Sequence, residues 1–284
     1  MKDPNQVNRL SRGVVPSWMK GNGPFIGKIT KNILRTMIGL RKYICSQFKP
    51  NVAKAMYDLF KVKNVMDFSM GWGDRLAGFF ASQNTELYVG VDPRKENHPI
   101  YREQADYYEG QLTMFETMKK VDFYCEAAED FYYDGYEDTF DIIFTSPPYF
   151  NVERYSHDDT QSWIRYKDID GWNTRFLQKA LDNMLPTLRS GGKLCINISD
   201  VYANSKWSSD RCWLKICDPM NEFLDEYRDM EYIGCIGMEM AKRPNSGGAG
   251  TAKDTTQYSE ESLKLAEETK DKRFCEPIWI WEKK

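Results

Sequence analysis

The chain reads as an α/β protein built on a mostly parallel sheet, and three observations carry that reading. Short β-rich apolar runs alternate with helical stretches from residue 64 onward. A glycine-bearing loop, Ser69-Met70-Gly71-Trp72-Gly73-Asp74-Arg75, stands directly between the first such run and the helix after it. The final two β-rich runs are separated by a loop composition rather than by a long helix. In sheets of this kind binding sites lie beyond the carboxyl ends of the strands.

The elements follow in order. Residues 31–48 place Ile33, Leu34, Met37, Ile38, Leu40, Tyr43 and Ile44 at helical spacing. Pro50 opens a second helix through about residue 62, the first-turn position that proline tolerates. Residues 64–68 form the first strand, and the helix after the glycine loop covers 76–82. The second strand, 86–91, ends in Asp92. A helix over 96–119 leads to a third strand at 121–125, after which 126–130 begins a short helix. The fourth strand, 140–144, runs into two prolines. A long amphipathic helix is predicted over 172–189, stopped by Gly191-Gly192, with the fifth strand at 193–198. Residues 213–227 read as helix, 231–240 as strand, 242–257 as a loop on composition, and 274–281 as the last strand.

Composition bounds the function classes. Of 284 residues, 41% are hydrophobic and 29% charged, values of a soluble globular chain. No apolar stretch approaches the roughly 18 residues of a membrane span, so no membrane partner is expected. The N-terminus carries no apolar signal core, which makes the cytoplasm, bacterial or host, the expected setting. Seven scattered cysteines without a C-x-x-C pair read as reduced thiols, and with only His98 and His157 no metal site is expected. The net charge of −3 is unevenly spread. Residues 1–63 hold thirteen Lys and Arg against Asp3 and Asp58, a net +11 that leaves −14 for the remainder. Such a basic segment on an acidic body suits a polyanion; a solvated helical face is the plain alternative.

Two motifs carry chemistry. Strand, glycine loop and helix in that order let a backbone approach a nucleotide closely. The third glycine of G-x-G-x-x-G is absent, since Leu76 stands there. Asp92 lies 19 residues after Gly73, near the ~20-residue spacing at which an acid meets ribose hydroxyls. Taken alone, Asp92 before Pro93 is equally a turn residue. The second motif is Thr145-Ser146-Pro147-Pro148-Tyr149-Phe150 at the exit of the fourth strand. Proline stiffens that exit, and a small hydroxyl, a rigid turn with free carbonyls and an aromatic ring make a clamp for a planar ring bearing an amine. The plain alternative is a proline-rich loop with a half-buried tyrosine. The glycine loop, Asp92, Glu126 and Ser146 to Tyr149 all fall at strand carboxyl ends, so they converge on one crevice.

Asp67-Phe68-Ser69-Met70-Gly71-Trp72-Gly73, then Asp92, then Thr145-Ser146-Pro147-Pro148-Tyr149 resemble the ordered motifs of S-adenosylmethionine-dependent amino-methyltransferases of the N4-cytosine and N6-adenine DNA type. The resemblance covers roughly residues 50–284 and implies the class I methyltransferase fold, a Rossmann-like seven-stranded sheet with its last strand antiparallel. It implies S-adenosylmethionine as cofactor. Asp67, Ser69, Gly71 and Gly73 would hold its methionine part, Asp92 the ribose, and Glu126 with Ala127 the adenine rim. It implies DNA as partner, and catalysis by Ser146, Pro147, Pro148 and Tyr149. Ser146 Oγ and the Pro147 carbonyl would accept from the two amine hydrogens, with Tyr149 and Phe150 as a stacking platform for a flipped base. The methyl would pass by direct in-line transfer. No Pro-Cys pair exists, which argues against methylation of a cytosine ring carbon.

No large target-recognition domain is expected within these residues. Residues 1–49 form a basic extension, irregular and then helical, and 50–284 the catalytic domain. Sequence reading would fall to the extension or to 150–170, 201–230 and 241–257, with Tyr155 and Arg243 as target contacts. Two alternatives stand: a methyltransferase acting on RNA or on protein glutamine, and a nucleic-acid-binding module without turnover.

Overall fold

The computed structural model describes residues 47–113, 118–203, 212–240, 264–265, 267–268 and 275–284. The basic extension up to residue 46, the 241–257 segment and Arg243 lie outside the described residues. In chain order the elements are α1 (Pro50–Leu59), β1 (Asn64–Asp67), α2 (Asp74–Ala81), β2 (Leu87–Val91), α3 (His98–Glu109), β3 (Lys120–Tyr124) and β4 (Phe140–Thr145). Then come α4 (Ser162–Arg165), α5 (Ile169–Trp172), α6 (Lys179–Met184), β5 (Leu188–Asn197), β6 (Val201–Ala203), β7 (Cys212–Leu214), α7 (Cys217–Asp225), β8 (Met230–Glu239) and β9 (Cys275–Lys283).

Seven strands make one sheet in the order β3-β2-β1-β4-β5-β9-β8, and β6 with β7 forms a separate small antiparallel pair. β1 to β5 pair in parallel, whereas β9 runs antiparallel to both of its neighbours, β5 and β8. This is the Rossmann-like, mostly parallel sheet of the class I methyltransferase fold. Side chains alternate between the faces of a strand, so one sheet closes two cores. Met66, Val89, Ile143 and Ile196 face Trp172, Leu181 and Met220, while Val65, Tyr88, Ile142 and Ile280 face Met56, Phe79 and Tyr101. The order 3-2-1-4 reverses direction between β1 and β4, and the crevice at their carboxyl ends is where such sheets bind ligands.

Several predicted boundaries move, each for a local reason. The helix predicted over 96–119 begins with one 3-10 turn, Lys95–Asn97, and ends at Glu109, where Gly110 at the C-cap has poor helix propensity. Residues 126–130 form a turn rather than a helix: Asp130 N–H and Phe131 N–H both converge on Ala127 O, so the chain makes a single turn there and goes no further. The 172–189 helix starts earlier, at an Asp168 cap that accepts from Gly171 N–H at 2.6 Å. It widens into a π-turn over Asn173–Gln178 and stops after Met184, since Pro186 cannot continue it. Gly191 and Gly192 lie inside β5 instead of ahead of it. Phe140 pairs with Leu188 but Ile142 with Lys193, so the intervening residues bulge out, and Gly191 supplies the positive φ of 75° that the bulge needs. Residues 213–227 are part strand and part helix: Cys212–Leu214 pairs with β6 before α7 begins at Cys217.

Candidate active site

The glycine loop is held from below by an ion pair. Asp67, fully buried at the end of β1, accepts from Arg75 Nε (2.8 Å) and Nη2 (3.1 Å), from Tyr88 Oη (2.7 Å) and from Ser69 N–H (3.2 Å). Burial pushes the Tyr88 hydroxyl well above its ordinary pKa, so it stays a donor, and the Asp67 charge adds to this. Arg75 also donates to Ser69 O. Further along, Gly71 O accepts from Tyr101 Oη (2.6 Å) and Asn97 Nδ2 (2.8 Å), and Trp72 O from Gln104 Nε2 (3.2 Å). Gly73 enters α2 at φ 81°, with the Gln104 side chain where a Cβ would stand, so only glycine fits that corner. The Gly71 and Trp72 carbonyls are thus turned away towards α3 and the 3-10 turn before it.

Asp92 closes the loop from β2. Its Oδ2 accepts from Gly71 N–H at 3.0 Å and its Oδ1 from Arg94 N–H at 2.9 Å, while His98 Nε2 meets its backbone oxygen at 2.8 Å. Burial pushes the Asp92 carboxyl up to about 6, and the two backbone N–H groups oppose that rise.

At the exit of β4 the chain turns sharply. Phe150 N–H bonds Pro148 O (2.9 Å) and Val152 N–H bonds Tyr149 O (3.0 Å), with Phe150 itself at φ 45°, a strained value for a residue that is not glycine. The Ser146 hydroxyl donates to Asn197 Oδ1 at 3.4 Å, and Asn197 is oriented by donating its Nδ2 to Pro277 O at 2.9 Å. Donation to Asn197 leaves the Ser146 lone pairs free to accept.

A crevice of about 660 Å³, counting the part open to solvent, lies over these strand ends. It brings together Ser69, Gly71, Asp92, Ala127, Ser146, Pro148 and Tyr155 among the residues read from sequence. Others lie elsewhere. Asp67 and Gly73 sit beneath the loop rather than on the crevice. Pro147 is buried off the lining, and Glu126 is exposed and off it. Because 126–130 is a turn, the acid presented to the crevice is Glu129, which burial raises above the usual carboxylate range. Its Oε1 accepts from Arg165 Nη1 (3.0 Å) and Tyr166 Oη (3.1 Å). Phe150, expected on the stacking platform, is 4% exposed and packs edge-on against Trp172 in the core, since the turn at Pro148 points it inward. Tyr149 is half-buried against the same core and off the lining; burial raises its hydroxyl well above the ordinary pKa, and the Ser199 side chain opposes that rise.

Residues that sequence reading passed over complete the walls. Trp72 of the glycine loop meets Tyr155 edge-on across the crevice, with ring centroids 6.2 Å apart at 86°. Thr160, Gln161 and Ser162 line the crevice from the 150–170 segment, and the Thr160 hydroxyl is buried there with no partner among the described residues. That orphan, the Asp92 carboxylate and the exposed Gly71 backbone form a polar lining beside the apolar Ala127, Ala128 and Phe176, which fits a nucleoside-bearing cofactor. Among the described residues no cluster of three or more His, Cys, Asp or Glu side chains could hold a metal, and no helix is long and apolar enough to cross a membrane.

A family model described as DNA methylase matches residues 140–283, from β4 to β9. Solved structures share the chain path at low identity. The MccD protein is 12% identical over 84% of this chain and 100% of that chain, with a TM-score of 0.45. The N-methyltransferase NodS from Bradyrhizobium japonicum WM9 is 9% identical over 82% and 95%, with a TM-score of 0.43. TrmN from Thermus thermophilus is 12% identical over 88% and 52%, with a TM-score of 0.44. Likeness at these values bears on neither substrate nor site. No curated protein matches the chain.

Proposed function

Since the chain belongs to the DNA methylase family, whose model spans residues 140–283, we propose that it methylates an exocyclic amine of a DNA base, N4 of cytosine or N6 of adenine, with S-adenosylmethionine as donor. The observation that carries the reading is that Ser146 and Pro148 line the same crevice as Gly71, Asp92 and Ala127. A reacting amine and a nucleotide-type cofactor would therefore meet in one crevice.

S-adenosylmethionine, when bound, supplies a methyl group on a sulfonium that needs no further activation. Asp92 would take the ribose hydroxyls with its remaining lone pairs, and the Ala127 to Glu129 turn with Thr160 would border the adenine. The chain's own task is to orient the amine and to favour its developing positive charge. Ser146 does this as an acceptor, because its own hydrogen is committed to Asn197. No base is required before transfer, since the proton can leave afterwards. A base within a duplex would have to be flipped into the crevice, where Tyr155 and Trp72 are among the aromatic side chains that line it. The basic extension and the 150–170 segment are the surfaces we assign to the nucleic acid.

The test is to incubate the protein with duplex DNA and labelled cofactor, digest the DNA to nucleosides and identify the labelled one. N4-methylcytosine or N6-methyladenine is expected; label found only in RNA, only in protein, or nowhere would overturn the reading. Ser146→Ala should lower the single-turnover rate by about 10- to 100-fold, the cost of one charge-assisted hydrogen bond, while cofactor affinity stays within twofold.

A further inference from the structure

The segment that leaves the clamp folds back on it. Glu153 lies four residues beyond Tyr149, and its Oε2 accepts the Tyr149 backbone N–H at 3.2 Å. The same carboxylate takes a hydrogen bond from the Tyr155 side chain. Tyr155 in turn stands edge-on to Trp72, whose carbonyl is fixed by Gln104 on α3. Both rings line the crevice. A continuous set of contacts therefore runs from the clamp backbone, through one half-buried carboxylate and one tyrosine, to the glycine loop. The turn it braces is strained at Phe150, so some contact must hold it against relaxation.

We propose that Glu153 is a positioning residue that couples the amine clamp to the cofactor loop, by holding the Tyr149 backbone and Tyr155 with one carboxylate while Tyr155 rests on Trp72. The inference builds on the methyl-transfer reading of the crevice. A ligand that fills the glycine-loop side orders Trp72, and through Tyr155 and Glu153 that order reaches Ser146 to Tyr149. The clamp is then set only when the donor is present. Glu153 touches neither the amine nor the cofactor in this arrangement, and alanine at the position removes both acceptor contacts at once.

Hydrogen exchange of the full chain, resolved at the Tyr149 amide, separates this from a merely structural role. In the cofactor-free protein Glu153→Ala should speed exchange at Tyr149 by about tenfold or more, with Glu153→Gln, which keeps one acceptor oxygen, in between. Adding S-adenosylmethionine should slow exchange in both 70–75 and 147–156 in the parent, but only in 70–75 in Glu153→Ala. Single-turnover methylation should fall about tenfold in Glu153→Ala and in Tyr155→Phe, and no further in the double variant, because both act through one carboxylate. Unchanged exchange at Tyr149 in Glu153→Ala and Glu153→Gln, or rate losses that multiply in the double variant, would overturn the proposal. A parent protein that neither binds the cofactor nor methylates DNA would refute the methyl-transfer reading instead, with exchange in the cofactor-free chain still deciding whether Glu153 holds the clamp.

Discussion

Replacing Arg75 by methionine should destabilise the fold by about 3–5 kcal/mol, the range for removing one partner of a buried ion pair. Arg75 is 3% exposed and Asp67 is fully buried, so the surviving carboxylate would have no water to turn to. Burial works against the guanidinium charge, yet Asp67 beside it raises the Arg75 pKa above its ordinary value, so the guanidinium keeps its charge. Tyr88 and the Ser69 amide would still donate to Asp67, which keeps the cost from being larger. Methionine retains the side-chain bulk under Phe48, over whose ring the guanidinium lies at 5.0 Å. Urea denaturation measures the loss. Adding Asp67→Asn to Arg75→Met should recover part of it, because the uncompensated charge is then gone. A single variant within 1 kcal/mol of the parent would mean that water reaches Asp67.

Asp92→Ala should weaken S-adenosylmethionine binding by roughly 1.5–3 kcal/mol, the range for hydrogen bonds to a charged group. Calorimetry decides this, and unchanged affinity in a folded variant would remove Asp92 from the ribose site. The pH dependence adds a second reading of the same residue. With its folded pKa near 6, Asp92 is a full carboxylate above that pH and a weaker acceptor below it, so affinity should fall as pH drops through about 6. Stability moves the other way. The folded protein holds a proton on Asp92 that the unfolded chain, with a pKa of about 3.9, has released, so stability falls as pH rises from about 4 to 6. The change is on the order of 2–3 kcal/mol, and it should be absent in Asp92→Asn, the denaturation control.

The parts of the site that were legible in the sequence are those whose signal is local. The glycine loop, Asp92 after β2 and Ser146 ahead of two prolines each declare themselves within a few residues, and a parallel sheet then obliges their strand ends to meet. Asn197 was not legible, because its bond to Ser146 spans 51 residues and exists only once β5 lies beside β4. Glu153 reads as one more polar loop residue until the turn at Phe150 brings it back under Tyr149. The clamp's aromatic residues misled for a related reason: a ring beside prolines looks the same in sequence whether it faces solvent or, like Phe150, the core. Glu126 and Glu129 are three residues apart and alike in sequence, and only the folded turn shows that Glu129 is buried against the crevice while Glu126 stays exposed. Among the helices, the periodicity of 172–189 was sound up to Met184, but a single Pro186 outweighs an apolar stripe.

The position of β9 governs the order in which the molecule can be assembled. β8 is made before β9, yet its one neighbour in the sheet is β9, which also has to seat against β5. While the ribosome is still adding residues 241–274, Tyr232, Ile233 and Ile236 therefore emerge on a ribbon that has nothing to pair with. The first five strands can condense as a parallel half-sheet during that interval, because their partners are already translated. The nine-residue β9 lies between the edges of β5 and β8 and pairs with both, so neither edge is covered until it is in place. A chain cut before Cys275 would lose two strands rather than one, and would leave β5, which carries Asn197, as a bare edge.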